Sequence, residues 1–468
     1  MANAPFTERP RKMPDAIIDR ATAAILRLSR AMPAGRITGA AGGGLVAGGI
    51  AGGVRLGDRA EILRQGAPLQ AEVIRVAGED VLLLPEGGAE GVGLDDPVRV
   101  LPVPVFAPDD DWIGRVIDPD GRPLDGRPLL PGLVPRPVRA EPPPAQGRRA
   151  LGARLATGYA VFDTLLPLVR GQRIGLFAGS GVGKSTLLAG LARGVEADVI
   201  VIGLVGERGR ELRHFVEDVL GPEGMARAVV VAATSDRAPQ VRRRCAWAAT
   251  AVAEHFRDRG LNVLLLIDSV TRFAEAHREL SAAAGEPAAL RGFPASTGPA
   301  IAALCERAGP GGPDQGDITA IYSVLVAGSD MDEPVADMLR GVLDGHVVLD
   351  RAIAEGGRFP AVDLLRSVSR SLPGAASAPE NALIGEARGH LGTYDRAALM
   401  IRAGLYVAGS DPRIDAAIAV QPALEAFLAR RDGSTPEASF VALRQALATA
   451  RNATGPRTAG SSRPARGG

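Results

Sequence analysis

Four stretches of this sequence are nearly continuous apolar runs: "GQRIGLFAG" (171–179), "DVIVIGLV" (198–205), "ARAVVVAAT" (226–234) and "NVLLLIDS" (262–269). Each is followed by a stretch of helical periodicity. A strand that is apolar at every position is buried on both faces, and such strands belong to parallel sheets with helices packed on either side. The middle of the chain is therefore expected to be an α/β core built on a mostly parallel sheet.

The flanking regions follow other patterns. From 35 to 105 the sequence breaks into short strand signals such as "AEVIRV" and "DVLLLP", separated by glycine and acidic turns. "GGGLVAGGIAGG" (42–53) is too glycine-rich for a helix and reads as strand interrupted by bends, so this region predicts a small β-barrel. Two Asp-Gly pairs between Asp118 and Gly132 predict a hairpin, and "RAEPPPAQGRR" after it an extended connector. Strands give out near residue 376, and 380–450 read as helices. "PDAIIDRATAAILRLSR" (14–30) sets Ile17, Ile18, Ala21, Ile25 and Leu28 near one helical face, which suits either a helix packed on its own domain or a docking helix for a partner or membrane surface. The last 18 residues, "RNATGPRTAGSSRPARGG", read as a basic disordered tail, with binding of an acidic surface as the alternative. The expected division is an N-terminal helix (1–34), a barrel (35–105), a nucleotide-binding catalytic domain (106–375), a C-terminal helical domain (376–452) and a tail (453–468).

Composition narrows the function classes. A formal charge of +1 over 468 residues supplies no whole-chain field for gathering nucleic acid. Two cysteines, Cys245 and Cys305, lie far apart in apolar helical patterns, which argues for a reducing compartment over a disulfide framework. The five histidines show no metal-ligand spacing. No run reaches the ~18 apolar residues of a membrane span, and no signal peptide opens the chain, so a cytoplasmic location is expected.

The first apolar strand runs directly into "AGSGVGKST", Ala178 to Thr186, and then a helix. Glycines at 179, 181 and 183 let consecutive backbone N–H groups turn toward phosphate oxygens, and the helix N-terminus adds its positive dipole end. Ala178, Gly179, Ser180, Gly181, Val182, Gly183, Lys184, Ser185 and Thr186 are thus the expected phosphate-binding residues, with Ala178 where the strict motif has glycine. Lysine occurs in this chain only at Lys12 and Lys184, against 54 lysines and arginines together. A compact ammonium reaches down the loop to β- and γ-phosphates, where the wide, planar guanidinium does not fit.

Two carboxylates stand at other strand ends. Asp268 closes "NVLLLID", where it could hold waters of a Mg²⁺ whose direct ligand is the Ser185 hydroxyl, a reading the preceding loop favours over a helix N-cap. Glu207, in "LVGERGRE", stands where a carboxylate could polarise an attacking water, or in a surface salt-bridge cluster with Arg208, Arg210 and Glu211.

Taken together, "AGSGVGKST", "LVGERGRE", "LLLIDSVTRFAEAHRE", "GEPAALRGFP", "GDITAIYSVLVAGSDMDEPVAD" and "RFPAVDLLRSVSR" resemble the rotary-type ATPases. These comprise the F- and V-type catalytic subunits and the protein-export ATPases of flagella and injectisomes, and the phrasing is most similar to the flagellar export ATPases. The resemblance is strong over about 110–430 and loose over the barrel. It implies a RecA-like P-loop core and ATP with Mg²⁺ as substrate and cofactor. It places Lys184, Glu207, Arg208, Asp268 and Arg370 in the catalytic set, with Ser185 and Asp268 on the metal. Arg370, closing "SVSR", falls where the family has an arginine finger reaching into a neighbour's site, and Phe359, before Pro360, where an aromatic stacks on adenine. "FPASTGPAIAALCERAG" departs from the pattern in being smaller and richer in alanine.

The function so implied is ATP hydrolysis by a homo-hexamer at the inner-membrane export apparatus. A regulator on the N-terminal helix, export-gate components, and chaperones or export substrates are the implied partners. An injectisome ATPase is the nearest alternative. A hexameric nucleic-acid motor is a different class, disfavoured because residues 35–105 lack an aromatic-plus-basic stacking platform, so no nucleic acid is expected. A non-catalytic ring subunit is disfavoured by the presence of both Lys184 and Glu207.

Overall fold

The computed structural model describes residues 18, 19, 22, 25, 32–326, 331–431 and 435–453. Of the expected N-terminal helix, Ile18, Asp19, Thr22 and Ile25 are helical; its other positions, and the tail from 454, lie outside the described residues. The chain packs as two compact units, one of 1–152, 170–193 and 197–346, the other of 153–169, 194–196 and 347–468.

The first unit opens with a closed six-stranded antiparallel barrel, β1 (Ala34–Ala41), β2 (Gly44–Gly48), β3 (Arg59–Ile62), β4 (Leu69–Ala77), β5 (Asp80–Pro85) and β6 (Pro97–Val100), in the order β1-β2-β5-β4-β3-β6. Pairing of β6 back onto β1, Ala34 opposite Arg99 and Arg36 opposite Pro97, closes it. Register shifts at Ile37/Gly39 and Val73/Arg75 bend the strands enough for a ring this small. Ile37, Ala47, Ile62, Val73, Leu83 and Val98 fill its interior.

The rest of this unit is the expected α/β core. Its strands are β7 (Arg115–Ile117), β8 (Arg173–Ala178), β9 (Val199–Glu207), β10 (Ala228–Thr234), β11 (Val263–Asp268) and β12 (Ile318–Leu325), ordered β8-β12-β11-β9-β10-β7. All the neighbours in that order pair in parallel. β9 is buried at all but its last residue and β11 throughout, as strands covered on both faces must be. The helices that serve the site are α1 (Lys184–Gly194), α2 (Pro239–Asp258) and α3 (Val270–Ala284). Both cysteines are buried and free.

β13 (Gly345–Leu349) runs across the division, and β14 (Val362–Ser369) belongs to the second unit. That unit ends in three mutually packed helices, α4 (Ala378–Arg402), α5 (Pro412–Leu428) and α6 (Pro436–Ala453). Ser377 and Glu380 form a capping box that starts α4, and Arg154 pairs with Glu380 at 3.1 Å. Among the described residues no helix is long and apolar enough to cross a membrane.

Candidate nucleotide site

β8 ends at Ala178, and the loop that follows turns through Gly181 (φ +79°) and Gly183 (φ +84°) before α1 begins at Lys184. These left-handed values are open to glycine at little cost, and a Cβ at Gly181 would meet nothing within 4 Å, so this side of the loop is open. Val182 is buried and anchors the loop, while Gly179 and Gly183 are half-buried and Ser180 and Gly181 exposed. Leu187 N–H donates to Gly183 at 3.0 Å to close the first turn of α1, and Ser185 and Thr186 on that turn are exposed. The loop thus brings together glycine backbone, the exposed Ser185 and Thr186 and the N-terminus of α1, a combination suited to phosphate.

Lys184 does not point to solvent. Its ammonium forms an ion pair with Asp268 Oδ1 and lies 3.9 Å from Glu207 Oε1, so three charged groups, one from the start of α1 and two from the ends of β11 and β9, converge. Asp268 is buried and also accepts a 2.5 Å hydrogen bond from Ser323 Oγ of β12. The N-cap of α3 is the next residue, Ser269, whose hydroxyl accepts from Arg272 N–H at 3.3 Å. Asp268 is therefore held by the lysine and Ser323 and is not the capping group.

Glu207 ends β9 just after Gly206, which turns the backbone at φ +71° where a Cβ would press on the Arg272 side chain at 3.3 Å. Burial, and then the negative charge of Asp268, push the Glu207 carboxyl up to about 7, against the opposing pull of Lys184. Arg208 points outward and pairs with Glu211 at 3.3 Å, and Arg210 is exposed. The exposed salt-bridge cluster open from the sequence thus exists in Arg208 and Glu211, while Glu207 turns inward to the lysine.

Phe359 and Arg370 lie in the second unit. Phe359 is half-exposed, and Arg370 is exposed immediately after β14. Two residues near the site escaped the sequence reading. Ser323 is a wholly buried hydroxyl in an apolar strand, and Arg272, one helical turn beyond Asp268, bonds Glu275 at 2.8 Å and feels the charges of Glu207 and Glu211. For Ser323 the available signal was a hydroxyl within an otherwise apolar strand; Arg272, in a mixed helix, carried none.

Comparison with known proteins places the chain in a family. Residues 158–369 match the nucleotide-binding domain of the ATP synthase alpha/beta family, and 376–449 match the T3SS EscN ATPase C-terminal domain. The chain is 45% identical over 437 residues to the flagellum-specific ATP synthase of Caulobacter vibrioides, covering 91% of this chain and 98% of that one. Among solved structures, the assembled ATPase EscN of the enteropathogenic E. coli type III secretion system superposes with a TM-score of 0.81 at 37% identity, covering 88% of this chain and all of that one. A second structure, of assembled EscN in complex with its central stalk EscO, superposes at 0.78 with the same identity and coverage. The chain belongs to the ATP synthase alpha/beta family, among its flagellum-specific and type III secretion members, and is an ATPase of that family.

Proposed function

We propose that this chain hydrolyses ATP with Mg²⁺ as a homo-hexameric ring that serves a flagellar type III export apparatus. The convergence of Lys184, Glu207 and Asp268 beside an open glycine loop is the observation that carries the reading. The Ser185 hydroxyl and the Asp268 carboxylate are hard oxygen donors of the kind Mg²⁺ takes, and they would hold it. When bound, the ion supplies neutralisation of charge on the transferring phosphoryl group. Lys184 exchanges its carboxylate partners for β- and γ-phosphate oxygens. Glu207, with its carboxyl near neutrality, takes a proton from the attacking water. Phe359 stacks on adenine, and Arg370 enters the site of a neighbouring chain to stabilise the charge that develops there. Arg208 remains in the catalytic set as the exposed cation next to Glu207.

Assembled EscN and its stalk complex support a ring of identical chains with an axial partner. A regulator on the N-terminal helix, export-gate components, and chaperones or export substrates complete the proposed partners, at the cytoplasmic face of the inner membrane and without nucleic acid. The match of 376–449 to the EscN C-terminal domain favours, as a second reading, the same chemistry in an injectisome.

Complementation tests the ring. Arg370→Ala should lose about 10³-fold or more in rate while still binding ATP, and Glu207→Gln should be similarly inactive through loss of water activation. Mixed in equal amounts, the two give about one interface in four with an intact glutamate facing an intact arginine, so hydrolysis should return. Co-assembled rings no more active than either variant alone would overturn the action of Arg370 in trans.

A further inference from the structure

β12 lies between β8, which carries the phosphate loop, and β11, which ends in Asp268. Its register ties it to both. Ser323 sits opposite Leu176 and Leu325 opposite Ala178, and Val326 N–H donates to the Ala178 carbonyl at 3.1 Å. On the other side Leu325 N–H donates to Thr271 Oγ1 in the first turn of α3 at 2.9 Å. Between these anchors the Ser323 hydroxyl, wholly buried, donates to Asp268 Oδ1 at 2.5 Å. The ammonium of Lys184 bonds the same oxygen.

That shared oxygen has a consequence for any state in which Lys184 serves phosphate. The lysine must then leave Oδ1, and a carboxylate that is 4% exposed loses one of its two side-chain donors among the described residues. A buried carboxylate short of donors rotates toward another partner, and that spoils its aim toward a cation. Ser323 remains: it is fixed on a central strand, and its one O–H satisfies the oxygen without bringing a positive charge that would compete with the metal. An alanine would remove the hydroxyl and leave Oδ1 bare once the lysine departs.

We infer that Ser323 is a positioning residue for the ATPase reaction, its hydroxyl keeping the Asp268 carboxylate oriented while Lys184 exchanges Asp268 for phosphate. The inference rests on the nucleotide and Mg²⁺ reading of the site given above. Ser323 is needed in the metal–nucleotide state and dispensable in the free chain, where Lys184 also holds the carboxylate.

The test is equilibrium binding of a fluorescent, non-hydrolysable ATP analogue to the full chain, in Mg²⁺ and in EDTA. The unaltered protein should bind more tightly in Mg²⁺. Ser323→Ala should weaken binding in Mg²⁺ by about 10- to 100-fold, the scale of a hydrogen bond to a charged group, and weaken it clearly less in EDTA, where no cation needs the Asp268 carboxylate oriented. Ser323→Thr, which keeps the hydroxyl on a residue suited to strands, should restore the Mg²⁺ affinity and the hydrolysis rate together. If the alanine variant does not fold, Ser323→Cys, similar in volume but a weak donor, carries the same comparison. Equal losses in both media, no loss in either, or a threonine variant no better than alanine would each overturn the role of Ser323. An unaltered protein indifferent to Mg²⁺ would instead bring down the functional reading, and this inference with it.

Discussion

Glu207 is pulled in two directions: burial and the charge of Asp268 favour its protonated form, and Lys184 favours its ionised form. The first two prevail, so the folded chain holds this proton up to about 7 against an ordinary value of 4.5. The stability this contributes is complete below the ordinary value and is lost as pH rises from 4.5 through about 7. Glu207→Gln, neutral throughout, should therefore be the more stable protein at about pH 8, by on the order of 1–3 kcal/mol, with the gap closing toward about pH 5. Denaturant unfolding across that range measures it, and a gap independent of pH would show that the carboxyl titrates in its ordinary range. At this scale the glycine loop and Lys184 were legible because their chemistry follows from residue type and spacing. The inward turn of Glu207 was not, since "GERGRE" also encodes the exposed pair that Arg208 and Glu211 do form. Nor was Ser323, because a lone hydroxyl in an apolar strand does not say which neighbouring strand it will meet.

Elements are joined by charge as well as by apolar packing. Glu72 of β4, buried in the barrel wall, accepts from Arg243 at 3.0 Å and Arg244 at 2.8 Å, consecutive residues of α2. Arg244 also reaches Asp120 at 3.2 Å, and Arg59 of β3 holds the same aspartate. The barrel is pinned to α2 by a network with little access to water, where removing one partner strands the rest. Glu72→Ala should cost about 3–5 kcal/mol in denaturant unfolding, with Glu72→Gln losing less because it still accepts a hydrogen bond. A loss below about 1 kcal/mol would mean that water already compensates these charges. The strands of the parallel core were legible from their apolar runs, and α2 from its period. Their joining was not, because Glu72 and Arg243 stand 171 positions apart. Strand β7 was also missed: at three residues, Arg115–Ile117, it is too short for a pattern, and only pairing with β10 makes it a strand.

For the whole molecule, the three patterns in the sequence mark out the barrel, the parallel core and the terminal helices, because each architecture imposes its own spacing of apolar residues. Assembly leaves no such spacing, since a surface that meets another copy looks locally like any other surface. The distribution of the site residues nevertheless makes assembly measurable. Lys184, Glu207 and Asp268 come together within one unit of one chain, so on the proposed reading a lone chain should still bind nucleotide. If Arg370 of a neighbour completes the transition-state contacts, a lone chain lacks what it needs for rapid turnover. Binding and hydrolysis should then separate on dilution: the rate per chain should fall steeply as rings dissociate, while the affinity for nucleotide persists. Arg370→Ala should show no such fall, being slow at every concentration because its interfaces are already defective. Sedimentation or light scattering run beside the rate measurement fixes where the rings come apart. A rate per chain that stays level through that range would mean that each chain completes its own site and that Arg370 does not act across the interface.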